Sequence, residues 1–169
     1  MIAAFIAFAE EKQQQSYPVH LKFHTGLNRL GCSSEDIETV ARQRASTESI
    51  KARSLFAHLA ASEDLSEQTF TKRQLTSFKD ISEKMTALLG YQPLLHILNT
   101  SGILNYPEAQ YDMVRTGIGL YGFGNSEEEN QHLQPIATLK TVISQIHQIE
   151  SGTSVGYNRA HIAKNQMRT

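Results

Sequence analysis

Basic, hydroxyl and glycine residues recur in this sequence where apolar, strand-like segments end. Arginine and lysine bind anions, histidine exchanges protons near neutral pH, and glycine lets an anion approach the backbone N–H groups closely. When strands lie parallel, such residues gather at one edge of the sheet, and the last turns of that edge often hold a phosphate. The residues concerned are Lys22, Arg29, His58, Asn99, Thr100, Arg115, Gly117 and Ile118.

Each of these residues also has a simpler interpretation. Lys22 falls on the inward face of its strand, where a lysine can reach solvent through its long side chain. His58 alone is more often a hydrogen-bonded core histidine, and Arg29 and Arg115 alone would usually be ion-pairing residues. A metal site is disfavoured, because the remaining histidines on the predicted strands lie on different strands without ligand spacing: His20, His24 and His96.

The alternation of strands with helices predicts the elements that position these side chains. Apolar residues alternate by two in the first strand, and they recur at helical spacing in the longest helix, which Gly90 ends. Strands that alternate with helices favour a parallel sheet. We expect strands at 18–24, 50–60, 93–99 and 115–123, with the two main helices near 34–46 and 66–89.

The expected fold class is α/β, as an incomplete (β/α)8 barrel that contributes about the last four β/α units. Four strands cannot close such a barrel, which needs eight strands and typically about 250 residues. The chain is therefore either a small open sheet or the second half of a barrel, and the lack of strand–helix pairs before residue 18 favours a truncated barrel. From Ala137 the apolar residues alternate by two without a following helix, which predicts a barrel domain over 1–130 and the start of a β-rich domain over 131–169.

The composition excludes several classes of partner. Sixteen basic and seventeen acidic residues give no electrostatic footprint for nucleic acid or a membrane surface. No apolar run is long enough to span a bilayer, and the first residues read as an amphipathic helix rather than a signal peptide. The single cysteine, Cys32, cannot form an internal disulfide and fits a cytoplasmic protein.

Four segments together resemble alanine racemase, a fold-type III enzyme that uses pyridoxal 5′-phosphate. They read HLKFHTGLNRLG, LFAHLAASED, HILNTSGILNYPEAQYDMVRTGIGLYG and SVGYNRA, and they follow the family's order over nearly the whole chain. The resemblance implies a homodimeric, cytoplasmic isomerase that interconverts L- and D-alanine and supplies D-alanine for peptidoglycan. It extends to the bacterial subgroup in which the racemase follows a Mur ligase of cell-wall synthesis.

The resemblance also implies catalytic roles. Arg29 would contact the cofactor's phenolic oxygen and hold the substrate carboxylate. Lys22 would be carbamylated and orient Arg29. Tyr157 would be one of two bases on opposite faces of the substrate α-carbon, acting on the cofactor of the other subunit and poised by His58.

Arg115 would face the pyridine nitrogen and contact His58. Because an arginine hardly gives up its proton, that nitrogen would stay unprotonated and the ring would be a weaker electron sink. The phosphate would be bound by the residues after the last two strands, Thr100, Gly117 and Ile118, with Asn99 in support. Two positions depart from the family: His24 replaces a usual aspartate near Lys22, and Thr100 replaces a common serine but keeps the hydroxyl.

No lysine of the chain has the sequence context of the family's cofactor-anchoring lysine. We therefore expect the chain by itself to be inactive, marginally stable and prone to aggregate through exposed strand edges. Two alternative functions are a non-catalytic pyridoxal phosphate-binding protein and a related fold-type III amino-acid decarboxylase. The β-rich segment and Tyr157 argue against the first, and the modest glycine content of the phosphate loop argues against the second.

Overall fold

The computed structural model describes residues 2–169, which form two compact units that divide between Ile136 and Ala137. The first unit is α/β and the second contains only short strands and turns. The assignment of two domains to 1–130 and 131–169 stays a prediction.

The first unit is built on a three-stranded parallel sheet in the order β1-β2-β3. The strands are shorter than the sequence pattern predicts, because their last residues turn away from the sheet to form the loops that carry the polar side chains. Their bounds are β1 Tyr17–Lys22, β2 Ile50–Phe56 and β3 Leu94–His96.

Five helices accompany this sheet. The two predicted helices are present, each entered through a short 3-10 turn. The first turn is held by Asp36, whose carboxylate accepts hydrogen bonds from the backbone N–H and the hydroxyl of Ser33 at 2.7 and 2.8 Å. The longest helix ends at Gly90, whose φ of 73° lies in the left-handed region. Glycine adopts this conformation without strain because it has no Cβ. The helices are α1 Ile2–Glu11, α2 Ile37–Ala45, α3 Gln68–Leu89, α4 Thr100–Asn105 and α5 Glu127–Gln131.

The apolar core lies between one face of the sheet and the helices α2 and α3. One cluster joins strand residues to these helices through Leu55, Val40 and Met85, and a second lies around Phe78 and Ile97. The opposite face of the sheet carries the polar side chains. The helices therefore hold the strands in place from one face and leave the other face available for a functional site.

A bulge in the β1–β2 pair changes which residues of β2 face this polar side. Val19 pairs with Ala52, but the next residue of β1, His20, pairs with Ser54, so Arg53 is the extra residue. Because side chains alternate along a strand, the extra residue moves Ser54 to the face that Arg53 would otherwise occupy.

The prediction of a fourth strand at 115–123 is wrong. Ile118–Tyr121 forms a 3-10 helix, and the preceding residues 112–115 only run beside β3. Two backbone hydrogen bonds hold them there, from Asp112 to the Leu95 carbonyl and from Arg115 to the Leu98 carbonyl, both at 3.1 Å. Glycine weakens a strand, and three glycines between Gly117 and Gly122 favour a turn instead.

The second unit contains two pairs of very short antiparallel strands. They are β4 Gln148–Ile149 with β7 Met167–Arg168, and β5 Ser154–Val155 with β6 His161–Ile162. The alternating segment before them is largely exposed, with Leu139 at 99%. Across residues 2–169, no helix is long and apolar enough to cross a bilayer.

The packing of α3 predicts unequal effects of truncation along one helix. Met85 is fully buried and Leu88 is 49% exposed. Met85→Ala should lower the free energy of unfolding by about 2–5 kcal/mol, whereas Leu88→Ala should lower it by less than about 1 kcal/mol. Urea titration of the two variants of this chain measures the difference, and equal losses would contradict the assigned core.

Candidate active site

Arg115 lies on the polar face, at the end of the segment 112–115 that runs beside β3. Its guanidinium donates from Nε to His96 Nδ1 at 3.0 Å and from Nη2 to the carbonyl oxygen of Ala57 at 2.6 Å. Nη1 lies 3.2 Å from His58 Nδ1, and the guanidinium carbon is 5.1 Å from the ring centre of Phe56. Of the predicted site residues, the structure thus brings Arg115 and His58 into direct contact.

The half-buried guanidinium keeps both histidines neutral. Burial first and the charge of Arg115 second lower the pKa of His96 to about 4. Burial and Arg115 also lower the pKa of His58, with smaller effects from Lys22 and Arg29. Neutral imidazoles offer Arg115 the acceptor nitrogens that a donor-only side chain needs.

Three residues of this network were missed by the sequence interpretation, which weighed His20 and His96 only as metal ligands. Ser54 Oγ lies 2.9 Å from His96 Nε2 and within hydrogen-bond distance of His20 Nδ1. The signal for His96 was available, because it ends a strand three residues before Asn99. No sequence signal identified Ser54, since its position depends on the bulge.

Lys22 and Arg29 lie beside this network. Burial lowers the pKa of Lys22, as do the charges of Arg29 and Arg115, and its ammonium nitrogen is 5.8 Å from the Phe56 ring centre. Arg29 is exposed in the loop after β1. The hydrogen bonds from the backbone N–H and the hydroxyl of Ser33 lower the pKa of Asp36, and the charge of His24 adds a smaller effect in the same direction.

The predicted phosphate-binding residues form a second cluster of hydrogen-bond donors. The N–H groups of Gly117 and Gly119 converge on Thr100 Oγ1 at 3.0 and 3.2 Å. Ile118 begins the 3-10 helix, where an N–H group has no partner within the helix. Asn99 has a structural task instead, since its Oδ1 caps α4 by accepting from the Gly102 N–H at 2.9 Å. The contribution of Gly119 as a donor to this cluster was not predicted from the sequence.

Tyr157 lies in the second unit, in a turn that follows Gly156, whose φ is 80°. Its side chain is 99% exposed. The first unit alone therefore gives no test of a mechanism with two bases on opposite faces of a substrate. The role of Tyr157 stays a prediction.

A parallel α/β sheet that carries an arginine–histidine network and converging backbone N–H groups at its carboxyl end is typical of a small-molecule enzyme domain of the barrel type. Thr100 and the N–H groups of Gly117 and Gly119 that converge on it are here termed the anion cradle, after the phosphate-binding role that the sequence predicts for this segment. Residues 2–125 match the family model described as alanine racemase, N-terminal domain. The chain belongs to this family.

Individual relatives agree with that assignment. The alanine racemase of Treponema denticola is 38% identical in a 164-residue alignment that covers 94% of this chain and 43% of that protein. The alanine racemase of Thermodesulfovibrio yellowstonii is 33% identical, over 96% of this chain and 42% of that protein. The chain thus spans less than half the length of the curated relatives it matches.

Solved structures give the same fold. The alanine racemase of Streptomyces coelicolor superposes with a TM-score of 0.76 at 26% identity, over 98% of this chain and 45% of that one. The enzyme of Bartonella henselae, solved with covalently bound pyridoxal phosphate, superposes with a TM-score of 0.68 at 22% identity, over 99% of this chain and 45% of that one. At that identity the second likeness concerns the fold alone.

The anion cradle predicts a specific steric coupling. A Cβ on Gly119 would lie 2.7 Å from the Cγ2 methyl of Thr100. Gly119→Ala should therefore destabilise the chain by about 1–3 kcal/mol, and Thr100→Ser, which removes that methyl, should restore most of the loss in the double variant. A double-mutant cycle of unfolding free energies measures the coupling, and additive effects would contradict it.

The neutral state of His96 predicts an unusual titration. In the folded chain its imidazole should stay unprotonated down to about pH 5, whereas in the urea-unfolded chain it should titrate near pH 6.5. Since only the unfolded state takes up the proton, His96 should lower the free energy of unfolding as the pH falls from about 6.5 towards 4. NMR titration of ¹⁵N-labelled histidines checks this, and a folded-state midpoint near 6.5 would disprove it.

Proposed function

We propose that this chain is part of a pyridoxal 5′-phosphate-dependent alanine racemase that interconverts L- and D-alanine. The family membership supports this, and one feature of the site carries it: a half-buried arginine held by two neutral histidines beside converging backbone N–H groups. As the resemblance implies, the enzyme would be a cytoplasmic homodimer that supplies D-alanine for peptidoglycan. The first unit would be the last part of a TIM-type barrel.

The residues present fit pyridoxal phosphate at both of its ends. The N–H groups of Gly117 and Gly119 already point at one oxygen atom, that of Thr100, as a phosphate oxygen requires. At the other end, Arg115 has one Nη1 hydrogen beyond its contact with His58, which can serve a ring nitrogen as a donor. Thr100, Gly117 and Ile118 would hold the phosphate, and Arg115 would hold the ring.

When bound, pyridoxal phosphate supplies an electron sink for the pair left on the α-carbon of alanine when its proton departs. Arg115 would set how strong that sink is. Burial lowers the pKa of Arg115, but a guanidinium remains protonated at neutral pH, so it would donate to the ring nitrogen without protonating it. His58 and His96 stay neutral and cannot supply that proton either.

Arg29 would bind the substrate carboxylate from the loop after β1. We propose that Lys22 carries a carbamate that orients Arg29. Its lowered pKa supports this, because the neutral amine is the form that combines with carbon dioxide, and the resulting anion would replace repulsion between Lys22 and Arg29 by attraction.

Tyr157 would exchange the α-proton on one face of the substrate. Its exposed side chain can reach a second copy of the chain, as the proposed homodimer requires. The base for the other face would be the lysine that anchors the cofactor. None of this chain's lysines has the context of that residue, so the chain alone should not racemise alanine.

A chimeric protein tests the proposal, because a relative supplies the residues that this chain does not contain. This chain would replace the segment of the Treponema denticola racemase to which it is similar, which is 43% of that protein. The chimera should bind pyridoxal phosphate and form D-alanine from L-alanine. Arg115→Lys should reduce kcat by about 100-fold, because lysine loses the forked contacts of arginine. Carbon dioxide released from alanine would favour the decarboxylase, and cofactor binding without turnover would favour the non-catalytic protein.

Two variants of the chimera separate the roles of single residues. Tyr157→Phe should abolish racemisation while the α-hydrogen of only one enantiomer still exchanges with deuterated water, and Tyr17→Phe serves as the control. Labelled bicarbonate should give a carbamate ¹³C signal that is lost in Lys22→Arg. Exchange of both enantiomers in Tyr157→Phe would refute a two-base role for Tyr157.

A further inference from the structure

The polar network continues past the residues that the proposed reaction uses. From Arg115 it runs through His96 and Ser54 to His20, and so crosses the sheet from β3 to β1. The bulge at Arg53 creates this path, because it brings Ser54 opposite His20. Without the extra residue, the bulky charged Arg53 would stand where Ser54 now joins the two histidines.

The donors and acceptors in this path have only one arrangement. Arginine Nε can only donate, so His96 Nδ1 must accept and its single proton must lie on Nε2. That proton then points to Ser54 Oγ, which leaves the serine hydroxyl hydrogen for His20 Nδ1. The low pKa of His96 agrees with a ring that carries one proton.

We propose that Ser54 and His20 are positioning residues that act on Arg115 through His96. By accepting from His96 Nε2 and donating to His20, Ser54 fixes the plane of the His96 ring and its tautomer, and hence the direction of the Arg115 guanidinium. The functional meaning of that direction rests on the proposed function, in which Arg115 faces the cofactor ring.

Burial makes the role of Ser54 difficult to replace. Ser54 is 0% exposed and His96 is 2% exposed, so in the native packing the His96 Nε2 proton has only the Ser54 hydroxyl as an acceptor, and removing that hydroxyl leaves a buried donor unsatisfied. The flat stack of His96 on Phe56, with ring centres 4.9 Å apart, is compatible with either ring orientation related by a flip about the Cβ–Cγ bond, so it does not by itself select which nitrogen faces Arg115. The two ring nitrogens therefore have to be held from both ends, by Arg115 and by Ser54.

The test is hydrogen exchange of side-chain N–H groups, measured by ¹⁵N NMR on the chain without cofactor. In the unaltered chain His96 should show the Nε2–H tautomer, and both this proton and the Arg115 Nε proton should exchange slowly. In Ser54→Ala the Arg115 Nε proton should exchange about tenfold faster, although Ser54 does not touch Arg115. Ser54→Thr should restore slow exchange, since it keeps the hydroxyl.

Controls separate this coupling from a loss of stability. Ser82→Ala removes a hydroxyl that is equally buried, at 2% exposed, but lies in α3 outside the network, and it should leave the Arg115 signal unchanged. If Ser54→Ala does not fold, variants of His20, which is the exposed end of the path, take its place in the test. His20→Ala should then speed exchange at Arg115, and His20→Asn, which keeps an acceptor near the Nδ1 position, should not.

An Nδ1–H tautomer of His96 would overturn the proposal, as would unchanged Arg115 exchange in both Ser54→Ala and His20→Ala. These outcomes are independent of the proposed reaction, because no cofactor or substrate is present. An inactive chimera together with the expected exchange pattern would reject the racemase function and keep the positioning role. An active chimera with unchanged exchange would do the reverse.

Discussion

A half-buried guanidinium requires acceptors on every side, and this requirement organises the polar face of the sheet. Arg115 obtains them from two strands at once, through the carbonyl oxygens of Ala57 and Ile97 and the ring nitrogens of His58 and His96. The ends of β2 and β3 are thus joined by one side chain. The same contacts force the histidines to be neutral, because an imidazolium has no lone pair to offer.

The electrostatic consequence is a surface that favours anions. Lys22, Arg29 and Arg115 lie close enough to influence one another, and the pKa of Lys22 falls as a result of burial and of both arginines. A ligand that carries a phosphate and a carboxylate would relieve this repulsion. Substrate selection and the protonation states of the site therefore share one cause, which is a concentration of positive charge on a partly buried face.

Much of the frame could be predicted from periodicity, whereas the contacts of the site could not. The long helix before Gly90 follows directly from apolar spacing and a glycine stop. The segment after Arg115 looked like a strand because Ile118, Leu120 and Phe123 are typical strand residues, but its glycines allow a tighter turn. Ser54 could not be predicted from any local pattern, because its direction depends on one extra residue opposite β1. Long-range register of this kind is set by packing against neighbouring strands, which a single sequence does not display.

The hydroxyl oxygen of Thr100 gives the anion cradle a property of its own. It already accepts from two backbone N–H groups, so these donors are satisfied before any ligand arrives. In the proposed function, phosphate binding there would be an exchange of partners, in which the threonine oxygen would give up the two N–H groups and its hydroxyl would turn to donate. The number of hydrogen bonds would change little, and affinity would come from charge and from the contacts at the far end of the ligand. We therefore expect such a cradle to hold a whole cofactor far better than free phosphate.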